Sequence, residues 1–248
     1  MEKNISEAVK IIHSSKQIVA FTGAGISAES GIPPFRGENG IWNQYDSRSL
    51  EIDYFLSHPE ASWKIIREIF YSHFQRAKPN PSHIFLAKLE SQYNLHSIIT
   101  QNIDNLHHMA GSTVIYEFHG NSSRLLCTKC QETISILEVS LKTLPPKCAC
   151  GGLLKPDFIF FGEPIPHYAY SKSMEAASTC DLMIIIGTAG EVMPANQIPL
   201  VASANKAKII EINLEKSLYT PRITDIFLQG KASEISIALS QKLNLQSS

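Results

Sequence analysis

Ile18-Val19-Ala20-Phe21-Thr22-Gly23-Ala24-Gly25-Ile26-Ser27-Ala28-Glu29-Ser30-Gly31-Ile32-Pro33-Pro34-Phe35-Arg36-Gly37 decides the fold of this chain. The apolar run Ile18–Phe21 predicts a buried strand, and it runs straight into Gly23-x-Gly25-x-x-Ala28. In a dinucleotide-phosphate loop the first glycine makes a tight turn and the second lets backbone N–H groups approach a pyrophosphate. A small third residue lets the following helix pack close to the strand. The acidic residue that ordinarily follows about 20 positions on, and binds a ribose, is absent. Pro33-Pro34-Phe35-Arg36-Gly37 comes instead, which predicts a loop inserted over the cofactor site.

Further short β-branched runs end in loop signals at Ser97–Thr100, Leu182–Ile186 and Lys208–Ile212. Helical-period segments lie before or between them at Ile5–His13, Pro81–Glu90, Tyr170–Ala177 and Pro194–Asn205. This alternation predicts an α/β fold, a Rossmann-like parallel sheet with helices on both faces. Ligands of such sheets bind beyond the carboxyl ends of the strands, so the residues there are the candidates for a site. Two stretches break the pattern, one aromatic-rich and helical, the other rich in cysteine. The expected division is 1–34, 81–120 and 156–248 for the dinucleotide-binding part, 35–80 for a cofactor loop and helical module, and 121–155 for a metal-binding, zinc-ribbon-like module. The two insertions together make a smaller lobe. Residues after Leu243 are expected to fray.

Cys127-x-x-Cys130 and Cys148-x-Cys150, with seventeen residues between the pairs, have the two-knuckle form of a tetrahedral zinc site. Four thiolates saturate Zn²⁺, so such a site is structural and staples a short insertion with few apolar residues. Two disulfides or free thiols are the alternative. The fifth cysteine, Cys180, precedes the run Leu182–Ile186 and reads as a packed core thiol.

With 22 basic and 23 acidic side chains among 248 residues, the chain has no electrostatic footprint for nucleic acid or an anionic membrane. No apolar run reaches the roughly 18 residues that span a bilayer. The first residues lack a basic region followed by an apolar one, so a cytoplasmic protein is expected.

Thr100-Gln101-Asn102-Ile103-Asp104-Asn105 follows the second strand. Its amides and acid need partners; a ribose or carboxamide would serve, and so would the start of a helix near Asn105. His119-Gly120 ends the apolar run Val114–Phe118 and is the best placed of the nine histidines for general-base chemistry. Gly187-Thr188-Ala189 can offer backbone amides to a phosphate or ribose, and Asn213 can bind a ribose hydroxyl.

With these motifs in this order, from Ala20 to about Ala232, the chain resembles a sirtuin, an NAD-dependent protein deacylase of the single-domain bacterial and archaeal type. Phe160-Phe161-Gly162-Glu163 and Ile212-Asn213 belong to the same resemblance. It implies that NAD is consumed as a co-substrate and that the zinc is structural. Gly23, Ala24, Gly25, Ala28, Phe35 and Arg36 would line the NAD site, the last two on a loop that closes over it. Gln101 would hold the nicotinamide ribose, and Asn102, Ile103 and Asp104 the nicotinamide. Gly187, Thr188, Ala189, Asn213 and Ala232 would complete the cofactor contacts. Ile159, Phe161, Gly162, Glu163 and Val192 would sandwich an acyl-lysine peptide as an added strand.

The implied reaction begins when the acyl oxygen attacks C1′ of the nicotinamide ribose and displaces nicotinamide. His119, as general base, then activates a ribose hydroxyl, giving free lysine and acyl-ADP-ribose. Three positions depart from the family pattern: Pro34 for Asp or Thr, Ala189 for Ser, and Gly190-Glu191 for a more apolar pair. Desuccinylating sirtuins carry Tyr-x-x-Arg in the helical insertion, where the aligned residues here are Ile66 and Ile69. An apolar wall cannot offset desolvation of a carboxylate, so uncharged acyl groups are expected over succinyl. A protein mono-ADP-ribosyltransferase and a non-catalytic NAD-sensing module are the competing readings. A dehydrogenase is disfavoured by the missing acidic ribose ligand.

Overall fold

Strand β1 (Ile18–Thr22) is buried along its whole length, because it sits in the middle of a six-stranded parallel sheet. The computed structural model describes residues 2–34, 40–72 and 76–246. Strands β2 (Leu95–Thr100), β3 (Ile115–Glu117), β7 (Leu182–Ile186), β8 (Lys208–Asn213) and β9 (Ile226–Gln229) complete that sheet in the order β3-β2-β1-β7-β8-β9. The chain steps outward from β1 first to one side and then to the other. The crevice beyond β1 and β7 is therefore the topological switch point where α/β sheets take their ligands.

Alternation along the strands explains the two layers. Ala20, Ile184 and Ile210 point to one face, against Ile12 of α1 (Glu2–Ser14), Leu86 of α4 (Pro81–Gln92) and Leu239 of α8 (Ala232–Lys242). Val19, Phe21, Met183 and Ile185 point to the other, against Ala177 of α6 (His167–Thr179) and Ile198 of α7 (Gln197–Ala204). Fully burying a side chain such as Phe21 is worth about 1.5–3 kcal/mol, which favours apolar residues at these positions. Cys180 lies in this second layer, where burial pushes its thiol up to about 12. That is a core thiol, as expected.

The sequence reading leaves out β9 and α8, although Ile235 and Leu239 in α8 keep helical spacing. It also ends the ordered chain too early. Leu245 packs against the core, and Gln246 exchanges hydrogen bonds with the side chain of Gln92.

The remaining residues form a smaller lobe. Strands β4 (Gly120–Cys127), β5 (Thr133–Ser135) and β6 (Leu154–Phe158) make an antiparallel sheet in the order β5-β4-β6. The helices α2 (Ile52–Ser57) and α3 (Pro59–Ile66) share one core with it, built on Phe55, Trp63, Phe70, Leu125, Leu154 and Phe158. Trp63 donates its indole N–H to the Leu154 carbonyl at 2.9 Å, which ties the helical insertion to the cysteine-bearing one. After α3 the chain widens into a π turn, Arg67–Tyr71, which presents Phe70 to a cavity between the lobes. Among the described residues, no helix is long and apolar enough to cross a membrane.

Candidate active site

Register brings the predicted loops together. Thr22 lies level with Thr100 on β2 and with Ile186 on β7. Gly23, Gln101 and Gly187 therefore leave the sheet side by side and open a cavity of about 830 Å³. Gly25 donates its N–H to the Gly187 carbonyl at 2.8 Å. A Cβ on Gly25 would stand 2.7 Å from the Gly187 Cα, so the approach of the two loops requires glycine there. The helix expected after the glycine loop is a 3₁₀ segment of seven residues, Ala24–Ser30. Gly31, in the left-handed conformation, closes it with its N–H on the Ala28 carbonyl, just before Pro33-Pro34.

The strand-end loops contribute Gly23, Ala24, Gly25, Gln101, Asn102, Ile103, Gly187, Thr188, Ala189 and Asn213 to the cavity lining. Gln101 donates its side-chain amide to the Thr188 hydroxyl at 3.2 Å, and Asn213 donates to the Thr188 carbonyl at 3.0 Å. These bonds bind the three strand-end loops into one wall. Ala28 is exposed and does not line the cavity; Ala232 is buried at the start of α8. Phe35 and Arg36 lie outside the described residues.

Asp104 sits below the cavity floor. It accepts a hydrogen bond from the Ser27 hydroxyl at 2.6 Å and from the Leu106 N–H at 3.0 Å, at the start of α5 (Leu106–Met109). Burial pushes its carboxyl above the ordinary carboxylate range. Asn102 donates to Ser27 at 3.1 Å and to the Gly23 carbonyl at 3.2 Å. Thr22 bonds both Thr100 and His107. The imidazole of His83 receives the Asn80 N–H on Nδ1, and its Nε2 lies 3.4 Å from Ser27. Burial holds both imidazoles neutral, His83 down at about 4 and His107 well below its ordinary value. Asn102 and Asp104 are in the motif named from sequence, but Ser27, His83 and His107 are given no site role there, because they reach this layer only through contacts between distant segments.

His119 closes the far side. Its Nδ1 lies 3.0 Å from the Gln101 carbonyl. A carbonyl only accepts, so Nδ1 carries the proton and the Nε2 lone pair is left for chemistry. Burial, partly opposed by that hydrogen bond, lowers its pKa from 6.5. The imidazole is therefore a free base at neutral pH.

Residues 158–165 and Val192 also line the cavity. Ile159 donates to the His119 carbonyl at 2.9 Å, and Phe161 pairs with the chain at Leu50 and Ile52. Phe161 is exposed at 49 %. The carboxylate of Glu163 is turned inward, accepting from Lys155 and from the Phe160 N–H. The cavity is lined in part by the buried apolar side chains of Leu50, Phe70, Ile103, Phe158 and Phe160. Ile66 and Ile69 are buried in the lobe core and do not line it.

The four cysteine sulfurs lie within 4.8 Å of one another. The pairs Cys127–Cys150 and Cys130–Cys148 are 3.5 and 3.7 Å apart. A zinc tetrahedron with Zn–S near 2.3 Å has edges of roughly 3.8 Å, so the quartet fits that ion. Amides of Lys129 and Cys130 point at the Cys127 sulfur, which favours a thiolate. A Cβ on Gly152 would come 2.6 Å from that sulfur. No cysteine lines the cavity, so the site belongs to the lobe's framework.

A parallel sheet with a glycine-lined crevice at its switch point, flanked by a four-cysteine lobe, defines a two-lobed dinucleotide-binding protein of the α/β class. The family model described as "Sir2 family" matches residues 23–194. NAD-dependent protein deacylase 2 of Pyrobaculum aerophilum is 42% identical over 230 residues, covering 91% of this chain and 90% of that one. The NAD-dependent protein deacylase of Pyrococcus abyssi is 42% identical, covering 93% and 94%. A solved Sir2 complex with a p53 peptide and NAD⁺ superposes with a TM-score of 0.89 at 33% identity, covering 98% and 99% of the two chains. One bound to a propionylated peptide gives 0.89 at 31%, with the same coverage. The chain belongs to the Sir2 family.

Proposed function

We infer that this enzyme, an NAD-dependent protein deacylase of the sirtuin type, moves the acyl group of an acyl-lysine onto the ribose of NAD with His119 as general base. The observation that carries the reading is the imidazole of His119. It is neutral, fixed by the Gln101 carbonyl, and lines the same cavity as the strand-end loops and residues 158–165.

NAD is a substrate in this reading. Gly23, Ala24 and Gly25 with Gly187–Ala189 and Asn213 hold its phosphates and adenosine ribose. Gln101, Asn102 and Ile103 face the nicotinamide end, and Asp104 and Ser27 keep Asn102 in place from below. Phe35 and Arg36 retain the part the resemblance implies, in closing the site and excluding water. The acyl oxygen displaces nicotinamide from C1′; His119 Nε2 takes the proton of a ribose hydroxyl, which then attacks the acyl carbon. Cys127, Cys130, Cys148 and Cys150 would hold a Zn²⁺ that closes the lobe's fold and leaves no open coordination position. Ala28 and Ala232, proposed NAD contacts by resemblance, would meet the cofactor only at its edges.

The peptide lies between Phe161-Gly162 and the segment at Val192, bonded through its main chain, which tolerates varied sequences. Its acyl group enters the cavity at an apolar end, which we assign to Leu50, Phe70, Ile103, Phe158 and Phe160 of the lining. Among the described residues near that end, neither Arg67 nor Lys155 is available to a succinyl carboxylate: Arg67 donates to the Leu141 carbonyl, and Lys155 is paired with Glu163. Acetyl and longer uncharged groups are the substrates we assign.

Incubation with NAD and a mixed acyl-lysine peptide library tests this, following nicotinamide release and peptide mass. Loss of uncharged acyl groups with formation of acyl-ADP-ribose is the expected result. A stable ADP-ribose adduct on protein, with the acyl group retained, would overturn the reading in favour of ADP-ribosyl transfer.

A further inference from the structure

Lysine is almost never fully buried unless paired, yet Lys155, on β6, is 6% exposed. Its ammonium donates to the Pro156 carbonyl at 3.0 Å, the Phe158 carbonyl at 2.7 Å and the Glu163 carboxylate at 2.9 Å. Those three bonds use every proton an ammonium has. Its remaining side rests over the Phe160 ring, 4.3 Å from the centroid. The same Glu163 oxygen accepts the Phe160 N–H at 2.7 Å, and the Glu163 N–H returns to the Phe160 carbonyl at 3.0 Å. Two carbonyls, an aromatic ring and a carboxylate from one short stretch thus converge on a single buried cation, and the carboxylate also accepts the Phe160 N–H.

The outer side of that stretch is the cavity wall. Ile159, Phe161 and Gly162 line it, and the Ile159 N–H is bonded to the carbonyl of His119. Stability alone gives little reason for the arrangement, since buried ion pairs are commonly replaced by apolar residues without loss. What the pair supplies is a fixed backbone path between His119 and Gly162.

We propose that Lys155 is a positioning residue of the deacylase: through Glu163 it holds residues 158–163 in the path that an acyl-peptide strand requires. The inference rests on the peptide-wall reading given above. It also changes the part given to Glu163, whose carboxylate faces the ammonium and shapes the wall from behind.

The test is steady-state nicotinamide release by the full-length protein, with NAD and an acetyl-lysine peptide varied separately. Lys155→Met keeps the stem and removes the charge. Its peptide KM is expected to rise about tenfold or more, a loss of the order measured when one partner of a buried charge pair is removed, while its KM for NAD stays within about twofold. Equal rises in both constants, or an unchanged peptide KM, would overturn the proposal. Should Lys155→Met fail to fold, Glu163→Gln decides. It keeps an acceptor for the Phe160 N–H, and a peptide KM raised several-fold supports the proposal while an unchanged one overturns it. Wild-type protein in the same assay separates the two levels. If it releases no nicotinamide with acyl-peptide, the peptide-wall reading itself fails, and the proposal with it.

Discussion

Gly25→Ala tests whether the crevice is set by the contact of two backbones. The new Cβ would meet the Gly187 Cα at 2.7 Å and the Gly187 carbonyl oxygen at 2.9 Å. Ordinary contact begins near 3.4 Å, so the two loops must part by at least about 0.7 Å, and backbone cannot rotate aside as a side chain can. The Gly25 N–H to Gly187 hydrogen bond, now 2.8 Å, would stretch beyond useful length at about 1 kcal/mol. Overpacking adds about 1–3 kcal/mol, for a total near 2–4 kcal/mol. In a chain of this size that lowers the melting temperature by roughly 4–16 °C. If even 1.4 kcal/mol reaches the nucleotide wall, NAD binds about tenfold more weakly. Gly31→Ala is the control: its Cβ would have nothing within 4 Å, but its φ of +85° leaves a left-handed strain of about 1–2 kcal/mol. Calorimetric melting and NAD titration of both variants make the comparison. Both variants should melt lower, but Gly31→Ala should bind NAD normally whereas Gly25→Ala should bind it more weakly. Wild-type NAD affinity in Gly25→Ala, or the same affinity loss in both, would refute the backbone-contact argument.

His119→Ala should bind NAD but lose about 10²–10⁴-fold in turnover; turnover within tenfold of wild type would remove His119 as the base. Because burial lowers the pKa of His119 from 6.5 and the base must be neutral, kcat/KM should be flat at neutral pH. It should fall only as pH drops through a value below 6.5; a limb centred above 7 would contradict this. Buried His83, down at about 4, and His107 stay neutral in the folded state but take protons near 6.5 when unfolded. Their folded-state pKa values are depressed, so stability is full above that ordinary value and is lost as pH falls toward 4; denaturant midpoints at pH 7 and pH 5 should show the decline. Chelation of the bound metal should melt the small lobe and abolish activity, visible as release of one zinc per chain together with loss of near-ultraviolet dichroism. Acetyl and propionyl peptides should be cleaved faster than a succinyl peptide of the same sequence, and the reverse order would sink the apolar acyl end.

Some of this was legible because it is local. Glycine spacing after a buried run, Cys-x-x-Cys with Cys-x-Cys, and apolar runs ending in polar loops each encode a backbone geometry within a few residues. They led to the parallel sheet, the sirtuin resemblance and the metal-binding lobe. Facing is different, since it depends on how segments distant in sequence pack. Spacing from His58-Pro59 placed Ile66 and Ile69 against the acyl group, but Ile66, at the end of α3, and Ile69, in the π turn Arg67–Tyr71, are both buried in the lobe core, and it is Phe70 of that turn that lines the cavity. Asp104 is in the motif yet points beneath the floor to Ser27, a partner 77 positions away.

By itself, then, the sequence determined the sheet, the four-thiolate quartet and the loops that meet at the switch point, because strand period and ligand spacing are properties of neighbouring residues. Only the tertiary structure decided which groups in those loops face the cavity and which brace it. The buried ammonium of Lys155 fixes a wall six residues of chain long from behind, and no periodicity announces it. A charge can be buried only where partners converge, and that convergence exists only once the lobe has folded.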